Sequence, residues 1–192
     1  MLFRSTDMGS TAACTASQST SVPTGVAQYS FKTQRTSTST STGTIVMAQA
    51  LETSNSYDTA GKNLTLSFWA KCGANFSASS SALNALIFFG QGTDQSISSM
   101  RGNSWTNQTN SGGTATLTTS WQQFTFTVSV PAGTTQLGMQ IYWTPTGTAG
   151  ADDSVYVTGV QLEAGSSATS FDYRPYGTEL QLRSEEHTSE LQ

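Results

Sequence analysis

The chain's 192 residues carry only 10% charged side chains, 35% hydrophobic ones and a formal net charge of −4. That balance excludes a charge-rich disordered chain; with no basic block anywhere, it also argues against nucleic acid as a partner. Four Trp, six Tyr and nine Phe sit among abundant Ser, Thr, Gly, Asn and Gln, which points to a folded β protein, because threonine favours strands while Gly and Asn favour turns. No apolar run approaches the roughly 18 residues of a membrane-spanning helix, so no membrane insertion is expected. No long apolar stretch follows residues 1–7 to make a signal peptide.

Residues 1–25 are rich in Ser and Thr, with a candidate first strand at 12–18 and a turn signal in Val22-Pro23-Thr24-Gly25. Residues 26–35 read as a strand with Tyr29 and Phe31 on one face, and 36–43 as a hydroxyl-rich, mobile loop. A second strand is predicted over 44–52, with Ile45, Met47 and Leu51 on one side. Residues 63–72 give the clearest pattern: Leu64, Leu66, Phe68, Ala70 and Cys72 alternate with Thr65, Ser67, Trp69 and Lys71. One face of this strand belongs to a core, and the other carries a large indole among hydroxyls and a cation.

A polar loop at 73–82 leads to residues 83–90, which are apolar on both faces and read as a central buried strand. Residues 91–112 read as a loop with a short candidate strand at 96–100 and with Trp105 among polar neighbours, followed by a short strand at 114–118. Residues 121–130 alternate, with Phe124, Phe126, Val128 and Val130 inward and Gln123 outward. Residues 135–143 alternate again, with Leu137, Met139, Ile141 and Trp143 on one face and Gln136, Gly138, Gln140 and Tyr142 on the other. The last long strand is predicted at 154–163, and 164–178 is irregular. No window has a helical period. Short strands separated by turns predict an all-β fold, an antiparallel β-sandwich of jelly-roll type, as a single domain over residues 1–182.

Residues 183–192, RSEEHTSELQ, change character abruptly and hold the only His. They read as the in-frame translation of a common short-read sequencing adapter, AGATCGGAAGAGCACACGTCTGAACTCCAG, and are treated as an assembly artefact. The natural chain is therefore expected to be truncated after Leu182, and the N-terminus also lacks an expected earlier strand. Without the tail the acidic count falls from 12 to 9 and the basic count from 8 to 7, a net charge near −2. Cys14 and Cys72 match no metal spacing. They read as small reduced side chains, with one disulfide as the alternative.

Three segments carry a resemblance. Leu64-Thr65-Leu66-Ser67-Phe68-Trp69-Ala70-Lys71 resembles a strand of galactose-binding-like, jelly-roll carbohydrate-binding modules. The stretch from Asp152 to Gly165 also resembles the last strand of those modules, and with the segment from Ser167 to Leu180 it is more similar to the ending of bacteriophage tail-fibre and related virion proteins. The resemblance implies a virion (phage tail) or extracellular location, a host-surface glycan as partner and a homotrimer within a fibre. A structural spacer of the fibre, or a carbohydrate-binding module of a secreted glycoside hydrolase, are the alternatives.

Catalysis is not expected. No His precedes residue 187, so Ser-His and Cys-His pairs are absent. The nine acids outside the tail lie mostly in loops or at strand ends, with no pair marked as buried. Asp152 and Asp153 are candidate ligands for a structural calcium ion, against a solvated turn as the simpler reading; no other cofactor is implied. A sugar needs aromatic faces for its C–H side and amides or carboxylates for its hydroxyls. The candidates are Trp69, Trp105 and Tyr142 with Gln123 and Gln140. Trp105 is expected to be the most exposed ring, and Trp121 and Trp143 to be core or sheet-edge residues. If Trp69, Gln123, Gln140 and Tyr142 share the outer face of one sheet, that face is a shallow groove; for Trp69 and Tyr142 the alternative is packing beneath a loop or against a trimer neighbour.

Overall fold

Strand β4 (Asn63–Cys72) is the axis of the larger sheet, and its alternation is the reason: Leu64, Leu66, Phe68 and Ala70 are each 2% exposed or less, facing the interior. The computed structural model describes residues 13–171. Within them, β1 (Cys14–Ser19), β2 (Ser30–Arg35), β7 (Gln122–Ser129) and β9 (Ser154–Ala164) join β4 in a five-stranded sheet of order β1-β2-β9-β4-β7. The second sheet has order β3-β8-β5-β6, from β3 (Ile45–Ala50), β5 (Ala82–Gly90), β6 (Thr109–Thr116) and β8 (Gln136–Trp143). Every pairing is antiparallel. The two sheets close a β-sandwich of jelly-roll type, as the alternation and turn signals predict.

The core lies between them. It joins Leu66, Phe68, Val155 and Val157 of one sheet to Ile45, Ile87, Met139, Ile141 and Trp143 of the other. Trp143 is fully buried, with its ring 4.9 Å from that of Phe76. β5 is apolar on both faces because a second, smaller cluster lies outside the four-stranded sheet. There Val46, Ala48 and Phe88 are covered by Met100 and Trp105.

That cover explains one departure from expectation. Residues 96–100 are not a strand; Ile97–Arg101 form a short helix, α1. Ser96 caps it, its Oγ accepting from the Ser99 backbone N–H at 3.1 Å. Ile97 and Met100, three apart, share the face that meets the sheet. A single helical turn is too short to leave a periodic signal. β6 also begins earlier than expected, at Thr109. It is a polar edge strand with Gly112 and Gly113 inside it, so no alternation marks it; the Phe126 ring lies where a side chain at 113 would be.

The loop expected to be mobile, 36–43, is instead tied to a buried charge. The Arg35 guanidinium, fully buried, donates to the Ser39 and Ser41 carbonyls at 2.9 and 2.7 Å and to the Gly147 carbonyl at 3.0 Å. Cys14 and Cys72 are both free, so the disulfide alternative is not realised, and burial pushes the Cys72 thiol pKa up. Among the described residues no helix is long and apolar enough to cross a membrane. The expectations for residues 1–12 and 172–192, including the adapter-like tail, lie outside the described residues.

Candidate functional site

The outer face of the five-stranded sheet is set by the parity of β4. Because Phe68 and Ala70 point inward, Trp69 and Lys71 point outward, and strand register brings partners beside them. One cross-strand row is Gln123, Trp69 and Thr158. The next row contains Lys71, Tyr156 and Lys32, with Trp121, the residue just before β7, beside them. These rows are two residues apart along each strand, roughly 7 Å.

The second row is tightly coupled. The Lys71 ammonium lies 4.7 Å from the Tyr156 ring centroid and 5.6 Å from that of Trp121. The Lys32 ammonium lies 5.0 Å from the same Tyr156 ring. Trp121 meets Tyr156 edge to face, with centroids 6.4 Å apart. Trp121 is thus half-buried on the outer face at the sheet's edge. Trp69 is half-buried too. Its indole passes over Gly159, where β9 bulges with a φ of +57°, and a side chain there would meet Val26, Trp69 and Phe171.

The rest of this face is roofed by the chain itself. After β9 the backbone turns back: Gly165 N–H donates to the Asn63 carbonyl at 2.8 Å, and the Thr65 hydroxyl to the Gly165 carbonyl at 2.8 Å. The Thr169 N–H donates to Glu163 at 3.0 Å, and the Gln161 amide to the Thr169 hydroxyl at 3.1 Å. This return leaves Gln123 exposed and Trp69, Trp121, Lys71, Tyr156 and Lys32 half-buried at the surface, whereas Thr158 is buried, its hydroxyl donating to the Tyr29 carbonyl at 2.8 Å.

The other sequence-predicted residues are elsewhere. Gln140 and Tyr142 are on β8, in the opposite sheet, with Ala48 and Leu86 flanking Gln140 and Val46 and Asn84 flanking Tyr142. The expected grouping with Trp69 and Gln123 therefore does not form; equal parity in two strands does not put them in one sheet. Trp105 is 4% exposed, not the most exposed ring. Its Nε1–H donates to the Ser96 carbonyl at 2.9 Å, and its ring packs over Gly138, whose missing side chain makes the space. The sequence reading does not single out Tyr156 or Lys32, and it names Trp121 only as a core or sheet-edge residue; the edge is where it lies. The signal for Tyr156 is its place between the inward Val155 and Val157.

Asp152 and Asp153 do not share a cation site. Asp153 is fully buried, so it is not a solvated turn either. Its Oδ2 accepts from Arg35 at 2.8 Å and from the Ser77 hydroxyl at 2.7 Å, and its Oδ1 from the Ser77 N–H at 2.9 Å. A calcium ion would have to displace a guanidinium that already neutralises the charge. Asp152 accepts from the Ser154 hydroxyl at 2.7 Å and the Ala74 N–H at 3.1 Å, with Lys32 at 3.8 Å. The Ser154 hydrogen bond first, then that backbone N–H and the nearby lysines, hold its carboxyl below the usual range despite partial burial. Among the described residues no group of three or more His, Cys, Asp or Glu side chains is placed to hold a metal ion.

No protein-family model matches the chain, and no curated protein matches it. Solved structures do. One is the enzymatically active domain of tailspike protein 4 of bacteriophage CBA120, at 14% identity and a TM-score of 0.57; the match covers 85% of this chain and 20% of that one. Another is TmCBM61 in complex with beta-1,4-galactotriose, at 10% identity and a TM-score of 0.50, covering 85% of this chain and 90% of the module. A third is the N-terminal tandem of CBM22 domains of Paenibacillus barcinonensis Xyn10C, at 11% identity and a TM-score of 0.50, covering 83% of this chain and 42% of that one. The chain spans a fifth of the tailspike. At these identities the likeness establishes a shared all-β, jelly-roll fold.

Proposed function

We propose that this chain is a non-catalytic glycan-binding module whose ligand lies across β7, β4, β9 and β2. The observation that carries the reading is the surface patch of Gln123 and Trp69 beside Trp121, Lys71, Tyr156 and Lys32. It offers an indole for the apolar face of a sugar and an amide and ammonium groups for its oxygens, on a rigid sheet. Gln140, Tyr142 and Trp105 play no part in this face.

The favoured parent is a larger, extracellular carbohydrate-active protein to which the module lends affinity; modules of that architecture are among its structural neighbours. A second reading, host-surface recognition by a virion fibre built as a homotrimer, is supported by the tailspike neighbour and by the ending from Asp152 to Phe171. A glycan panel that includes plant cell-wall and bacterial surface polysaccharides tests both. Binding of cell-wall polymers favours the first parent and binding of bacterial surface polymers the second. A folded sample that binds nothing overturns the glycan reading and leaves a structural spacer.

A further inference from the structure

We infer that this face selects an anionic polysaccharide, one whose carboxylate or sulfate groups sit on Lys71 and Lys32 while the neighbouring sugar lies against Trp69. The inference rests on the glycan-binding reading above and adds the chemical class of the ligand.

The geometry of the second row argues for charge over stacking. A neutral sugar stacks by placing its C–H groups on a ring face. Here the ring of Tyr156 is already approached by two ammonium groups, at 4.7 and 5.0 Å, and Trp121 by one at 5.6 Å. What this row presents to a ligand is positive charge with aromatic backing.

The charge count at the row agrees. Lys32 has Asp152 at 3.8 Å, an ion pair whose side chains are 20% and 41% exposed. Lys71 makes no ion pair with any described residue. Two cations and one carboxylate leave a local excess of positive charge on a chain whose formal net charge is −4. A global excess of negative charge repels polyanions, so this local reversal confines their attraction to one place. The adjoining row, with Gln123 and Trp69, supplies the neutral contacts that a glycan needs beside its charged group.

The test uses the whole chain and two matched pairs of polymers: polygalacturonate with its carboxyl-reduced form, and dextran sulfate with plain dextran. Affinity electrophoresis and titration calorimetry are run at low and at 0.5 M salt, alongside the neutral polymers of the panel. Tighter binding of at least one anionic member than of its neutral twin is expected, weakening as salt rises. Lys71→Gln should lose about tenfold or more in affinity for that polymer, the scale of a charge-assisted hydrogen bond. The same variant should remain folded, losing no more than the few degrees that two exposed cation–π contacts are worth. Equal binding of both members of each pair, or an unchanged affinity in Lys71→Gln, overturns the inference. If neutral panel glycans bind and neither polyanion does, the glycan-binding reading stands and this inference alone falls. If nothing binds, both fall.

Discussion

Arg35 and Asp153 form an ion pair of 2.8 Å in which neither side chain has any exposure to solvent. Asp153 opens the turn into β9, and Arg35 closes β2, so the pair fixes the end of the sandwich where β2, β9 and the loops at 36–44 and 144–152 meet. Removing one partner strands the other as a buried, unpaired charge. Arg35→Met and Asp153→Ala should each destabilise the fold by about 3–5 kcal/mol. The double variant Arg35→Met/Asp153→Leu should cost clearly less than the two single changes added together. Urea unfolding of the three variants checks this; additive losses would show that the charges are not coupled.

The cover over the four-stranded sheet depends on Gly138. A side chain at that position meets the Met100 sulfur and the Trp105 ring. Gly138→Ala should therefore cost about 1–3 kcal/mol by overpacking. Trp105→Ala should cost about 3–5 kcal/mol, the usual loss for a large buried aromatic, and leave glycan affinity unchanged under folding conditions. Thermal melts paired with binding titrations separate the two effects. A folded Trp105→Ala protein that has lost its ligand would move the site to the other sheet.

Asp152 links stability to acid. Its folded-state carboxyl titrates below the usual range, chiefly through the Ser154 hydroxyl. A group lowered on folding stabilises the protein above its unfolded pKa, and that contribution disappears as pH falls through the folded value. Melting temperature should fall as pH drops below about 4, the unfolded range of an Asp, and Asp152→Asn should flatten part of that slope. An unchanged pH profile in the variant would remove Asp152 from the account.

The two thiols should react at different rates. Cys72 is buried with a raised pKa, whereas Cys14 is half-buried. Iodoacetamide at neutral pH should label Cys14 first and reach Cys72 only after denaturation. Mass spectrometry of the labelled peptides reads this directly, and equal native-state labelling would contradict it.

Strands were legible wherever one face is wet and the other dry. β4 runs from Asn63 to Cys72 as its alternation predicts, and β8 nearly so. Parity along each strand was legible too, and it is what places Trp69 and Lys71 outward. Which strands are neighbours was not, because pairing is a long-range choice that no local pattern records. Gln140 and Tyr142 have the right parity and the wrong sheet. Trp105 misled for a related reason: its polar neighbours do face water, but the glycine it packs on, Gly138, is distant in sequence. The ion pair of Arg35 with Asp153 joins residues 118 apart and has no local signature.

The central claim is that ligand is held on the face bearing Trp69 rather than on the one bearing Tyr142. Its most direct measurement is calorimetric titration of the tightest polysaccharide from the panel into the wild-type chain, Trp69→Ala and Tyr142→Ala, each first verified as folded by its melting curve. The expected result is a loss of about tenfold or more for Trp69→Ala, as for a truncated aromatic anchor, with Tyr142→Ala unchanged. Full affinity in Trp69→Ala together with a loss in Tyr142→Ala would contradict it.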